Sequence, residues 1–138
     1  MKKDMPKLID WMICDDIRVE SNGKTIIIGI YHDSIIVSGL PFVMPQLVTW
    51  TKWDITKDTI KKFEFTVTAP NGKTMGHIIG EPATKSSGKK AILQIAISPF
   101  AIKEAGEYRI DAKINETDCH IGSFGVQLKA LSKISKNM

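Results

Sequence analysis

The chain predicts an all-β fold, because apolar residues recur at every second position over most of its 138 residues and the segments so marked are separated by turn dipeptides, Asn22-Gly23 and Asn71-Gly72 among them. A third observation narrows the class. Tyr108 stands two residues after Gly106 at the start of a segment in which Tyr108, Ile110, Ala112 and Ile114 alternate. Immunoglobulin-like sandwiches carry a tyrosine at that point, its ring inward and its hydroxyl bonded to backbone just upstream. The expectation is an immunoglobulin-like antiparallel β-sandwich of eight or nine strands.

Each element has its own signal. Leu8 to Cys14 reads as a first strand with Ile9, Trp11 and Ile13 on one face. Asp16 to Glu20 and Thr25 to Tyr31 read as a hairpin about Asn22-Gly23, a dipeptide suited to a two-residue type I′ turn. That loop length pairs Val19 with Ile26 and Ile17 with Ile28, and sets Asp16 opposite Gly29. Ile35 to Val37 is a short apolar piece. Gly39 to Pro45 holds two prolines, which preclude a central strand and suggest a crossing between sheets. Gln46 to Asp54 is a strand on which Trp50 and Trp53, three apart, must face opposite ways.

Lys61 to Thr68 and Thr74 to Ile79 form a second hairpin about Asn71-Gly72, with Phe65 opposite Ile78 and Thr66 opposite His77 under a two-residue loop. Glu81 to Lys90 is the longest polar stretch and reads as a loop. Ala91 to Ser98 is a strand ended by Pro99. In the last hairpin, Cys119 and Ile121 fall on one parity and Phe124, Val126 and Leu128 on the other, and a bulge near Gly122-Ser123 returns all five to the core. Residues 1–138 are expected to form one domain, with 129–138 as a frayed basic tail or a short amphipathic turn through Leu128, Leu131 and Ile134.

The formal charge is +4, from 19 Lys and Arg against 15 Asp and Glu. Only Arg18 and Arg109 are arginines, and arginine is the residue favoured for bidentate phosphate and guanine contacts, so the excess reads as solvated lysine and argues against nucleic acid as a partner. Asp4 and Asp10 interrupt the apolar run at the N-terminus, and no apolar run approaches the roughly 20 residues of a membrane span. With two cysteines, Cys14 and Cys119, read as free thiols, the expected setting is the cytoplasm.

The hairpin sequence from Ile13 to Tyr31, the Leu40-Pro41-Phe42 to Pro45 crossing and the Glu104 to Ile110 strand start together resemble an uncharacterised family of bacterial proteins, a domain of unknown function. The shared features are an opening hairpin of the form Asp-x-Ile/Val-Arg-x-Glu ending in Gly-Lys, a Phe/Pro-rich crossing, and a late Glu-x-Gly-x-Tyr strand. The resemblance implies an immunoglobulin-like sandwich in a bacterium or phage and carries no activity with it. Ile110, two after Tyr108, excludes the disulfide-bonded immunoglobulin subclass.

Chemistry-bearing motifs are sparse. Asn22 to Thr25 and Asn71 to Thr74 both read NGKT, the end of a phosphate-binding loop, but lack its earlier glycine and its helix. The thiols and His32, His77 and His120 fall on different segments or opposite strand faces, which argues against zinc. Asp15, Asp16, His32 and Asp33 are the one set that could gather at a sheet edge, for calcium or for acid–base work. Three functions compete: a non-catalytic module binding a protein or its own copy as a homodimer through Trp50, Trp53 or an edge; an enzyme or metal protein using the Asp15, Asp16, His32, Asp33 edge; and a basic binder of nucleic acid or acidic surfaces through Lys85, Lys89, Lys90 and the tail. The first is preferred, with no cofactor and no catalytic or metal-ligating residue assigned. Tyr108, Gly106, Asn22, Gly23, Asn71 and Gly72 are assigned structural roles.

Overall fold

A computed structural model describes residues 5–82 and 88–129. It is all-β, with eleven strands in three sheets among the described residues, where the sequence had suggested eight or nine. The strands are β1 (Lys7–Val19), β2 (Thr25–Tyr31), β3 (Ser34–Val37), β4 (Phe42–Met44), β5 (Leu47–Asp54), β6 (Phe63–Thr68), β7 (Thr74–Gly80), β8 (Lys90–Ile97), β9 (Phe100–Ile102), β10 (Gly106–Ile114) and β11 (Thr117–Leu128). One sheet runs β2-β1-β5-β8, a second β3-β11-β10-β6-β7, and β4 pairs with β9. Lys85, the middle of the Glu81 to Lys90 loop, and the tail beyond Lys129 lie outside the described residues.

The differences in strand count have simple causes. Lys7–Val19 is one continuous strand where two were expected, since the polar pair Asp15-Asp16 does not break backbone pairing with β2. The proline-bounded crossing contains β4, which needs only one neighbour, and β3 joins β11 in parallel.

The first hairpin differs in register from the two-residue expectation. Its loop holds three residues, Ser21, Asn22 and Gly23: Glu20 N donates to Lys24 O at 2.8 Å, Gly23 N donates to Glu20 O at 2.9 Å, and Gly23 takes φ 89°. Ile17 therefore faces Ile27, Arg18 faces Ile26 and Asp16 faces Ile28, which moves Ile26 and Ile28 off the face shared by Ile17 and Val19. Asp15, not Asp16, lies across from Gly29, whose φ is 70°. The second hairpin has the same kind of loop, Pro70 to Gly72, yet keeps Phe65 opposite Ile78 and Thr66 opposite His77, because a register shift between Val67 and Thr68 restores the difference.

In the last hairpin the bulge falls at Ile121, which is left unpaired between Gly122 (opposite Ile110) and His120 (opposite Asp111). Ile121, Phe124 and Val126 are buried and Cys119 is half-buried, but Leu128 is 53% exposed. Pairing with β10 ends at Gly106 opposite Val126, so Leu128 overhangs the core rather than entering it.

The inner faces of the two larger sheets share one apolar cluster, in which Ile13, Leu47, Trp53, Leu93 and Ile95 of the first meet Phe65, Val67, Ile110, Ile114 and Phe124 of the second. Tyr108 is fully buried, stacks on Phe124 with ring centroids 5.4 Å apart, and donates its hydroxyl to Glu104 O at 2.8 Å. Trp53 Nε1 donates to Thr51 Oγ1 at 2.7 Å, and Thr51 in turn donates to Leu93 O at 2.9 Å, so the buried indole carries no unpaired donor.

Candidate functional site

The acidic edge does not assemble. Asp15 and Asp16 are neighbours on β1 and point to opposite faces of it. Asp15 accepts the Tyr31 hydroxyl, while Asp16 accepts from Gln46 Nε2 at 2.9 Å, from Ile17 N at 2.9 Å and from Arg18 Nε at 3.3 Å. The bond from Arg18 is the largest of several that hold the Asp16 carboxyl below its ordinary range. Burial, followed by the bond to Asp15 and its charge, pushes the Tyr31 phenol up to about 12. His32 and Asp33 are exposed beyond the end of β2. Among the described residues no three His, Cys, Asp or Glu side chains are grouped to hold a metal ion.

On the solvent side of the second sheet, His120, Asp111, Thr66 and His77 line up across β11, β10, β6 and β7. His120 Nδ1 and Arg109 Nη2 lie 2.8 and 3.2 Å from Asp111 Oδ1, and His77 Nε2 lies 2.5 Å from Glu64 Oε1. Burial works to raise the Asp111 pKa, but these bonds and the neighbouring charges outweigh it and hold the carboxyl low. Every member of the row except Thr66 is engaged by a side-chain partner, and sequence reading foresaw only its Thr66–His77 pair because the members come from four strands. Cys119 beside it is held protonated at neutral pH by burial and by the charge of Asp111, as Cys14 is by burial, so neither thiol is poised as a nucleophile.

The solvent side of the first sheet is different. Strand pairing puts Asp10, Lys52 and Ile92 in one row, then Met12, Trp50 and Gln94, then Ile30, Cys14, Val48 and Ala96, then Ile28 with Asp16, and last Ile26 with Arg18. Ile28, Ile30 and Ile92 are 41%, 44% and 45% exposed. Trp50 is half-buried among them, whereas Trp53 faces the core. A shallow cavity of about 200 Å³ lies in this face, lined by Asp16, Ile17, Gln46, Val48, Gln94 and Ala96. The remaining residues singled out from the sequence are in turns. Asn22 and Asn71 accept from the backbone N–H of Lys24 and Lys73 at 3.0 and 2.9 Å, Gly72 mirrors Gly23 at φ 90°, and Gly106 opens β10. Lys89 and Lys90 are exposed.

The chain belongs to a family of unknown function, DUF6941, whose model matches residues 9–127, from the first strand to the last. No curated protein matches it.

Proposed function

We propose that the chain is a non-catalytic interaction module of immunoglobulin-like topology, which binds another protein or a second copy of itself through the outer face of β2-β1-β5-β8. The observation that carries this reading is the apolar character of that face. An antiparallel sheet packed on one side is ordinarily polar on the other, and here the solvent side carries Ile28, Ile30, Ile92, Met12 and Trp50. The immunoglobulin-like assignment is supported by strand order: β11-β10-β6-β7 follows the G-F-C-C′ order of a variable-type sheet, β5-β8 follows B-E, and Tyr108 opens the strand in the F position. A bacterial or phage cytoplasmic setting belongs to the same proposal, supported by Cys14 and Cys119 both being free. An enzymatic reading is disfavoured because Asp15 and Asp16 diverge and are each engaged by neighbours.

The test is affinity capture from the native host with quantitative mass spectrometry, comparing wild type with Trp50→Glu on this face and Lys113→Glu on the other sheet. A partner, or an untagged copy of the chain, held by wild type and Lys113→Glu and lost by Trp50→Glu supports the proposal. Identical recovery by all three removes this face from the function.

A further inference from the structure

Resting on the reading of that face as a docking surface, we infer that its occupant is a second copy of this chain, and that the contact is face to face and includes the β1–β2 ribbon. Pairing of β1 with β5 ends at Cys14 opposite Val48, whereas pairing of β1 with β2 continues to Val19 opposite Thr25. The far half of this hairpin thus leaves the body as a two-stranded ribbon, with Ile26 and Ile28 40% and 41% exposed on the outer face. Two strands alone are marginal in water, so the ribbon needs a surface to lie on.

The apolar face continues from Ile26 and Ile28 of the ribbon to Ile30 and Ile92 of the sheet, so a second copy can meet it apolar patch to apolar patch, as a two-fold contact requires. Both ends of the apolar rows carry both signs, Asp16 with Arg18 at one and Asp10 with Lys52 at the other, so two copies laid antiparallel about a two-fold axis meet without like-charge conflict.

Area points the same way. Four strands about 4.8 Å apart and about seven residues long give a face of roughly 450 Å² in plan. The overhanging ribbon extends it toward the roughly 800 Å² of accessible surface that each partner of a stable complex contributes. A contact at or below that size falls at the small end of specific interfaces, for which a reversible dimer is the expectation. Edge addition at β2 is the alternative geometry, since the strand from Thr25 to Tyr31 has no charge and no proline to guard it. The left-handed Gly29 interrupts it and leaves only Thr25 to Ile28 regular, so the face and not the edge is the contact.

Sedimentation equilibrium of the full chain from about 1 to about 200 μM is the direct test, and a monomer–dimer equilibrium in that range is expected. Ile28→Lys and Trp50→Glu should each weaken it at least about tenfold, as loss of a central apolar anchor does. Ile79→Lys, 69% exposed on the other sheet, should leave it unchanged. Near-ultraviolet circular dichroism on each variant confirms the fold, and Ile28→Lys, on an exposed strand, serves if Trp50→Glu does not fold. A wild type that stays monomeric throughout, or association indifferent to both substitutions, overturns the inference. So does hydrogen-exchange protection of β2 in the monomer that is lost on deleting residues 130–138, which would give the face to the chain's own tail. A strictly monomeric chain that still captures a different protein through Trp50 would leave the module reading standing while ending this one.

Discussion

Both tyrosines of the chain are tied to backbone or carboxylate oxygens, with a consequence at high pH. The Tyr31 phenol is pushed up to about 12 by burial, then by its bond to Asp15 and that carboxylate's charge, and Tyr108 is raised by burial against the lowering effect of its bond to Glu104 O. An unfolded tyrosine ionises near about 10. A raised folded pKa means the native state holds its proton more tightly, so Tyr31's contribution to stability is complete below pH 10 and is lost as pH rises toward 12. Spectrophotometric titration of the folded protein should show tyrosinate appearing only above the unfolded range, and Tyr31→Phe should flatten the fall in stability over pH 10 to 12. Tyrosinate forming at the ordinary pH in native protein would contradict the Tyr31–Asp15 bond. Tyr108 was legible because its spacing from Gly106 and its alternation with Ile110 are local features. The Tyr31–Asp15 contact was not, because it depends on a hairpin register that one extra loop residue changes.

Strand positions were legible from alternation alone, and strand partners much less so. Asn-Gly marked both early turns, but the dipeptide does not distinguish a two-residue loop from a three-residue loop in which glycine takes the left-handed position. Strands β4 and β9 are three residues each, too short for any period to register. The bulge in β11 was legible one position away, since five apolar residues on two parities demand a shift somewhere between them. What the pattern could not show is why the bulge stops at Gly122: Trp11 of the opposite sheet lies against it, and a β-carbon there would come 2.1 Å from Cζ2 of the indole. The half-buried Trp11 ring packs against the core and cannot yield that distance without moving its neighbours, so Gly122→Ala should destabilise by about 1 to 3 kcal/mol, the cost of overpacking. Chemical denaturation measures this, with Gly88→Ala as the control, since among the described residues nothing beyond its chain neighbours would come within 4 Å of a β-carbon there. Equal stability of the two variants would mean that Trp11 does not bridge the sheets in solution.

At the scale of the molecule, all-β character was plain and the outer apolar face was hidden. In β2 both parities are apolar from Ile26 to Ile28, so no periodicity tells which face meets the core, and only pairing with β1 decides that Ile26 and Ile28 look outward. The charge excess was plain too, and its arrangement is the ground for expecting weak affinity for polyanions. Arg18 is paired with Asp16 and Arg109 with Asp111, which occupies the two guanidinium groups. Lys62 is likewise held by Glu116 at 2.6 Å. Lysines spread over opposite sides of a body with nearly as many carboxylates neutralise few phosphates at once, and it is the number neutralised together that sets affinity and its salt dependence. Binding to duplex or single-stranded DNA at physiological salt should therefore be no tighter than about 10⁻⁴ M, the weak end of non-specific association, with a shallow dependence on salt. Fluorescence anisotropy of labelled oligonucleotides between 50 and 200 mM salt, a range over which true phosphate binders lose about a thousandfold or more, checks both the strength and the slope. Tight binding with a steep slope would instead make the lysines the functional residues, and would shift the site away from the apolar face of β2-β1-β5-β8.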